Sequence, residues 1–85
     1  MPRISMFFGI VVFMYFDDHA PPHFHALYEG EEAVFGLDGS IQRGYLPPRV
    51  QRLIREWAEL RLQELKDNWS RASENLPLFW VEPIA

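Results

Sequence analysis

The chain has 85 residues, enough for a single domain spanning 1–85 and too few for a second hydrophobic core. It holds no cysteine, which excludes disulfides and thiolate metal sites. A net charge of −4 argues against a general nucleic-acid binder.

A domain of this size is marginally stable, by roughly 4–13 kcal/mol at ~0.05–0.15 kcal/mol per residue. Without disulfides, it is steadied by a tight aromatic core, a metal held by histidine and carboxylate, or a partner subunit. Seven Phe and three Trp supply the apolar surface for the first. Nucleic acid remains possible through a local patch: Gly39 to Arg55 contains no acidic residue but holds Arg43, Arg49, Arg52 and Arg55.

In chain order, the apolar run from Phe7 to Phe16 is far short of the ~20 residues that cross a bilayer. It lacks a cleavage-site pattern and ends in Asp17-Asp18, so a cytoplasmic protein with no membrane partner is expected. Ile10 to Phe16 is rich in β-branched and aromatic residues and apolar on both faces. It predicts a central strand covered on both sides, or one with a face turned to a partner. Pro21-Pro22 makes Asp17 to Pro22 a connecting loop. His23–Tyr28 and Ala33–Phe35 flank Gly30 as a hairpin, and Ser40–Gln42 has the length of a short strand.

The second half predicts helix. Pro47 and Pro48 suit a first helical turn. Val50, Leu53, Trp57 and Leu60 form one apolar stripe; Ala58, Leu62, Leu65, Trp69 and Ala72 form another, rotated by ~100°. Two helices broken near Arg61 to Gln63 resolve the mismatch, as does one bent helix. After Pro77, Leu78–Val81 predicts a final strand. The expected fold is α+β: a three- or four-stranded, mainly antiparallel sheet from the N-terminal half, with a two-helix unit packed on one face.

All three histidines, His19, His23 and His25, fall within seven residues, beside Asp17 and Asp18. In a strand, His23 and His25 share one face and Phe24 takes the other. Neutral imidazoles with a carboxylate make a site for zinc or another divalent transition ion, and a catalytic version needs an open position for water. The same histidines suit metal-free acid–base work on a phosphodiester, because imidazole titrates near ~6.5. Arg43, Arg49 or Arg52 would then hold the anion. Against both stands a structural reading in which the histidines fasten the loop and Phe24 plugs the core. Arg49 and Arg52 oppose the helix dipole, which marks an anion site, an acidic partner or an ordinary solvated face. Glu29, Glu31 and Glu32 are expected to be solvated, Trp57 and Trp69 to anchor the core, and Trp80 to be an exposed contact residue.

The pieces Pro2-Arg3-Ile4-Ser5, Phe8-Gly9-Ile10, Met14-Tyr15, Asp18-His19, Pro21-Pro22-His23-Phe24-His25 and Tyr28 resemble the signature of the bacterial domain of unknown function 4160. Leu46-Pro47, Glu56-Trp57-Ala58 and Asn68-Trp69 extend the likeness over nearly the whole chain. The resemblance implies no assigned activity. It implies a small prokaryotic protein often encoded beside another short domain of unknown function, 2442, an arrangement like a toxin–antitoxin pair. Similar proteins often read Leu-His-Arg and then an acid where this chain has Leu60-Arg61-Leu62-Gln63, so no role for a histidine there carries over. Three functions follow as expectations: foremost, an interaction component of a toxin–antitoxin-like system, with that neighbour or a second copy as partner; a histidine-based, RNase-like hydrolase; or a non-catalytic divalent-metal module.

Overall fold

The structure, a computed structural model, describes residues 2–84. Five antiparallel strands run β1 Arg3–Phe7, β2 Ile10–Phe13, β3 His23–Tyr28, β4 Glu31–Gly36 and β5 Ile41–Gly44. They pair in sequence order as a meander, so β3 is central. Two helices follow, α1 Pro48–Leu60 and α2 Leu62–Ser73.

The class is α+β as expected, but the sheet has five strands rather than three or four. The extra strand is β1. Only five residues long, it pairs with β2 through the two-residue turn Phe8-Gly9. Both turn residues take positive φ, 48° and 77°, as do Glu29 and Gly30 in the β3–β4 turn. Turns of that hand match the twist of the strands they join. β2 stops at Phe13 rather than Phe16, where the chain leaves the sheet for the histidine loop.

One sheet face carries the core. Ile10 and Val12 of β2, Phe24 and Ala26 of β3, and Ala33 and Phe35 of β4 meet Val50, Ile54 and Trp57 of α1. Trp57 lies edge-on to Phe24 at 5.6 Å between ring centres and tilted against Phe7 at 5.2 Å. The chain breaks at Arg61, whose φ of −115° and ψ of 23° end α1 and start α2, so the two-helix alternative holds. The buried side of α1 is Val50, Ile54, Trp57 and Ala58, while Leu60 is exposed.

Leu78–Val81 forms no strand. Its backbone is held instead by helix side chains: Asn68 exchanges two hydrogen bonds with the Phe79 backbone, both 2.9 Å. Trp57 donates its indole N–H to the Glu82 carbonyl at 2.9 Å, and a single bond joins the Val81 N–H to Ile4 of β1. No helix among the described residues is long and apolar enough to cross a membrane.

Candidate metal centre

Alternation along β3 sends Phe24 and Ala26 into the core and His23 and His25 to the opposite face. His25 pairs with Phe13 on one side and Val34 on the other. Its ring stacks on Phe13 at 5.2 Å, and Tyr15 closes over it edge-on at 4.7 Å. His25 is thereby buried, 6% exposed, beneath these two rings. His23, at the start of the strand, lies against Trp69 of α2 at 5.1 Å. Aromatic contacts on both rings fix where their nitrogens point.

The loop brings the carboxylate. Asp17 takes a positive φ of 55° and donates its backbone N–H to the Ala72 carbonyl at the end of α2, 3.0 Å away. That anchor sets Asp18 over the two histidines. Asp18 Oδ1 accepts the His19 backbone N–H at 2.8 Å. Its Oδ2 lies 2.8 Å from His23 Nε2 and 3.5 Å from His25 Nε2. Burial pushes the Asp18 carboxyl up, but the His19 backbone bond and, when the rings carry a proton on Nε2, the bonds from His23 and His25 with the charge of His23 leave its pKa below the usual carboxylate value.

The far nitrogens also face oxygen. His23 Nδ1 donates to the Pro21 carbonyl at 2.8 Å, and His25 Nδ1 donates to Glu32 Oε2 at 3.1 Å. A carbonyl only accepts, so the single N–H of a neutral His23 lies on Nδ1 and its Nε2 lone pair faces Asp18. Both nitrogens of His25 face carboxylates, Glu32 at Nδ1 and Asp18 at Nε2; with its N–H on the nearer Glu32, two lone pairs and a carboxylate oxygen converge on one point. Only added positive charge, from protons or a metal ion, makes that arrangement favourable. One donor atom from each of Asp18, His23 and His25 lies within 4.8 Å of the others. Tetrahedral ligands at ~2.0–2.1 Å from zinc stand about 3.3 Å apart. The Asp18 separations of 2.8 and 3.5 Å bracket that value. Carbonyl and carboxylate partners behind the imidazoles are the support that metal-ligating histidines have.

The centre opens on a cleft of about 350 Å³ lined by Asp18, His19, His23, Val34, Gln42 and Arg43, with the Ala20–Pro21 backbone at its rim. The predicted site residues divide accordingly. Asp18, His23 and His25 come together and Arg43 shares their cleft. His19 lines the cleft but lies outside the three-donor cluster. Asp17 is exposed, and its backbone rather than its carboxylate serves the site. Arg49 and Arg52 are elsewhere: Arg49 bonds the Tyr28 hydroxyl at 2.9 Å, and Arg52 lines a separate hollow beside Gly39 and Arg55. Sequence reasoning missed Glu32, expected to be solvated, and the aromatic walls Phe13 and Tyr15. Trp69, expected purely as a core anchor, is half-buried against His23.

Comparison with protein families matches residues 9–70 to the domain of unknown function DUF4160, nearly three-quarters of the chain. The chain belongs to the DUF4160 family. The matched DUF4160 segment contains β2 to β5, α1 and most of α2, with all three histidines and Asp18; β1 and the strapped tail fall outside it. Comparison with curated proteins and with solved structures returns no match.

Proposed function

We propose that the protein binds a divalent transition ion, with zinc as the reference case, through His23 Nε2, His25 Nε2 and Asp18 Oδ2. The observation that carries this reading is the oxygen acceptor behind each imidazole, which leaves both Nε2 atoms aimed at one carboxylate oxygen. Three protein ligands leave a coordination position on the cleft side, the equipment of a metal-dependent hydrolase rather than of a closed structural site. The test is zinc or cobalt(II) affinity of tag-free protein alongside His23→Ala and Asp18→Asn variants. One ion per chain is expected, with each variant weakened by more than about 100-fold, beyond the 10–100-fold typical of outer-sphere changes. No binding by the unaltered protein sinks the reading.

A second reading, compatible with the first, is an interaction component of a toxin–antitoxin-like pair. What favours it is exposed large apolar surface, with Phe8, Leu60 and Trp80 each more than half exposed.

A further inference from the structure

β5 is edge strand and cleft wall at once. Its ladder with β4 pairs Val34 with Arg43 but Phe35 with Ile41, so Gln42 is an extra residue in a β-bulge. Bulges re-aim side chains, and this one turns Gln42 and Arg43 together onto the cleft. Arg43 lies in one cross-strand row with Val34 and His25, on the face that carries the three donors.

Gly36 pairs with His23 on the neighbouring strand. A Cβ built there would come within 3.0 Å of Gln42 Nε2 and of Asp38 Oδ1. Glycine therefore leaves room for the Gln42 amide over the β4 backbone. Asp38 is already engaged, its Oδ1 taking the Ser40 hydroxyl at 2.7 Å and the Ser40 N–H at 3.0 Å. Among the described residues no carboxylate pairs with Arg43, whereas Arg61 has Glu64. A guanidinium and an amide thus share the cleft with Asp18 and His23, and the guanidinium has no carboxylate partner among the described residues.

We infer that this cleft binds a phosphate group, free or as an ester, with one oxygen on the metal ion and others on the Arg43 guanidinium and the Gln42 amide. The inference rests on the proposed metal site. A divalent ion is offset by the Asp18 and Glu32 carboxylates, and the Arg43 guanidinium leaves the cleft net positive, which suits a phosphate anion. The guanidinium offers the planar fork that phosphate oxygens accept, and tetrahedral oxygens reach ion and donors from different corners. Openness to solvent fits a terminal or exposed phosphate rather than an enclosed small molecule.

The test uses full-length protein loaded with cobalt(II) and cleared of free ion, titrated with inorganic phosphate and, separately, with phenyl phosphate. The visible cobalt spectrum reports the ligand. Saturable change is expected with both Arg43→Ala and Gln42→Ala weakening it, Arg43→Ala by about tenfold to 100-fold, the scale of a charged hydrogen bond. Cobalt affinity of both variants stays at the unaltered value. The ratio of the two probe affinities tells free phosphate from an ester, and either one bound with Arg43 dependence sustains the inference. Cobalt bound but phosphate affinity indifferent to Arg43 overturns the inference and leaves the metal site standing. Failure of unaltered protein to bind cobalt overturns both. Arg43 is exposed on an edge strand, so its alanine variant is expected to fold, which circular dichroism checks.

Discussion

Glu32 holds His25 from the side away from the convergence point, and its carboxylate is 3.1 Å from Nδ1. Removing it frees the imidazole to change tautomer and lowers its basicity as a ligand. Glu32→Ala is therefore expected to weaken zinc binding by about tenfold to 100-fold, with Glu32→Gln intermediate because the amide oxygen still accepts the N–H. Competition titration against a chelating dye measures this, and an alanine variant that binds like the parent returns Glu32 to the solvated surface. The sequence made His23, His25 and Asp18 legible because all three lie in one short segment and strand alternation puts both histidines on one face. Glu32 was not legible there. It meets His25 diagonally across the β3–β4 ladder, where His25 pairs with Val34 and Leu27 with Glu32, and that contact appears only once the turn at Glu29-Gly30 fixes the register. Arg43 stood on the expected list with Arg49 and Arg52, and charge alone could not separate them. The bulge at Gln42 does.

At the scale of elements, the C-terminal segment is held by side chains in place of a ladder. Asn68 is 1% exposed and satisfies both the N–H and the C=O of Phe79. Truncating it leaves two part-buried backbone groups without their partner. Asn68→Ala is expected to cost about 2–4 kcal/mol, since each orphaned group costs ~1–3 kcal/mol. For a domain this small, that lowers Tm by roughly 8 °C or more, at ~4–8 °C per kcal/mol. Calorimetry on metal-free protein tests it, and a fall under about 3 °C would mean the segment finds its bonds in water. The same device explains why Leu78–Val81, apolar and placed after a proline, gave a strand signal without becoming a strand. Only Val81 of the four is buried, bonded to β1, while Phe79 and Trp80 stay exposed, and an apolar run alone does not say which groups take the backbone bonds. The helix pair was legible because its two apolar stripes are out of phase, and the break at Arg61 rotates the second onto the core. β1 was not, because Phe8-Gly9 interrupts one apolar run and hides two short strands within it.

The whole molecule spends most of its aromatic surface internally, yet some large side chains serve no contact of its own. Phe8 is the clearest. It is 60% exposed at the tip of the β1–β2 turn with φ of 48°, a conformation that favours Asn, Asp or Gly over an aromatic. Neither the turn nor the core accounts for a phenyl ring there. Trp80, 55% exposed on the strapped tail, and Leu60, 64% exposed at the end of α1, are similar. The net charge of −4 makes a partner with a basic surface the better match than a second copy, which would carry the same charge. If the toxin–antitoxin-like reading holds, co-expression with a small protein encoded beside this one is accordingly expected to give a co-eluting complex. Phe8→Asn is the informative variant because its two effects oppose each other. It relieves the turn, so the isolated protein keeps or gains thermal stability, while loss of a central aromatic contact worth ~2 kcal/mol weakens the complex by about 30-fold. Trp80→Ser should weaken the complex without the gain. Should the isolated protein sediment as a dimer that Phe8→Asn dissociates, the exposed apolar surface belongs to a second copy. Should it remain a monomer that never joins its neighbour, the interaction reading fails and the metal centre alone carries the function.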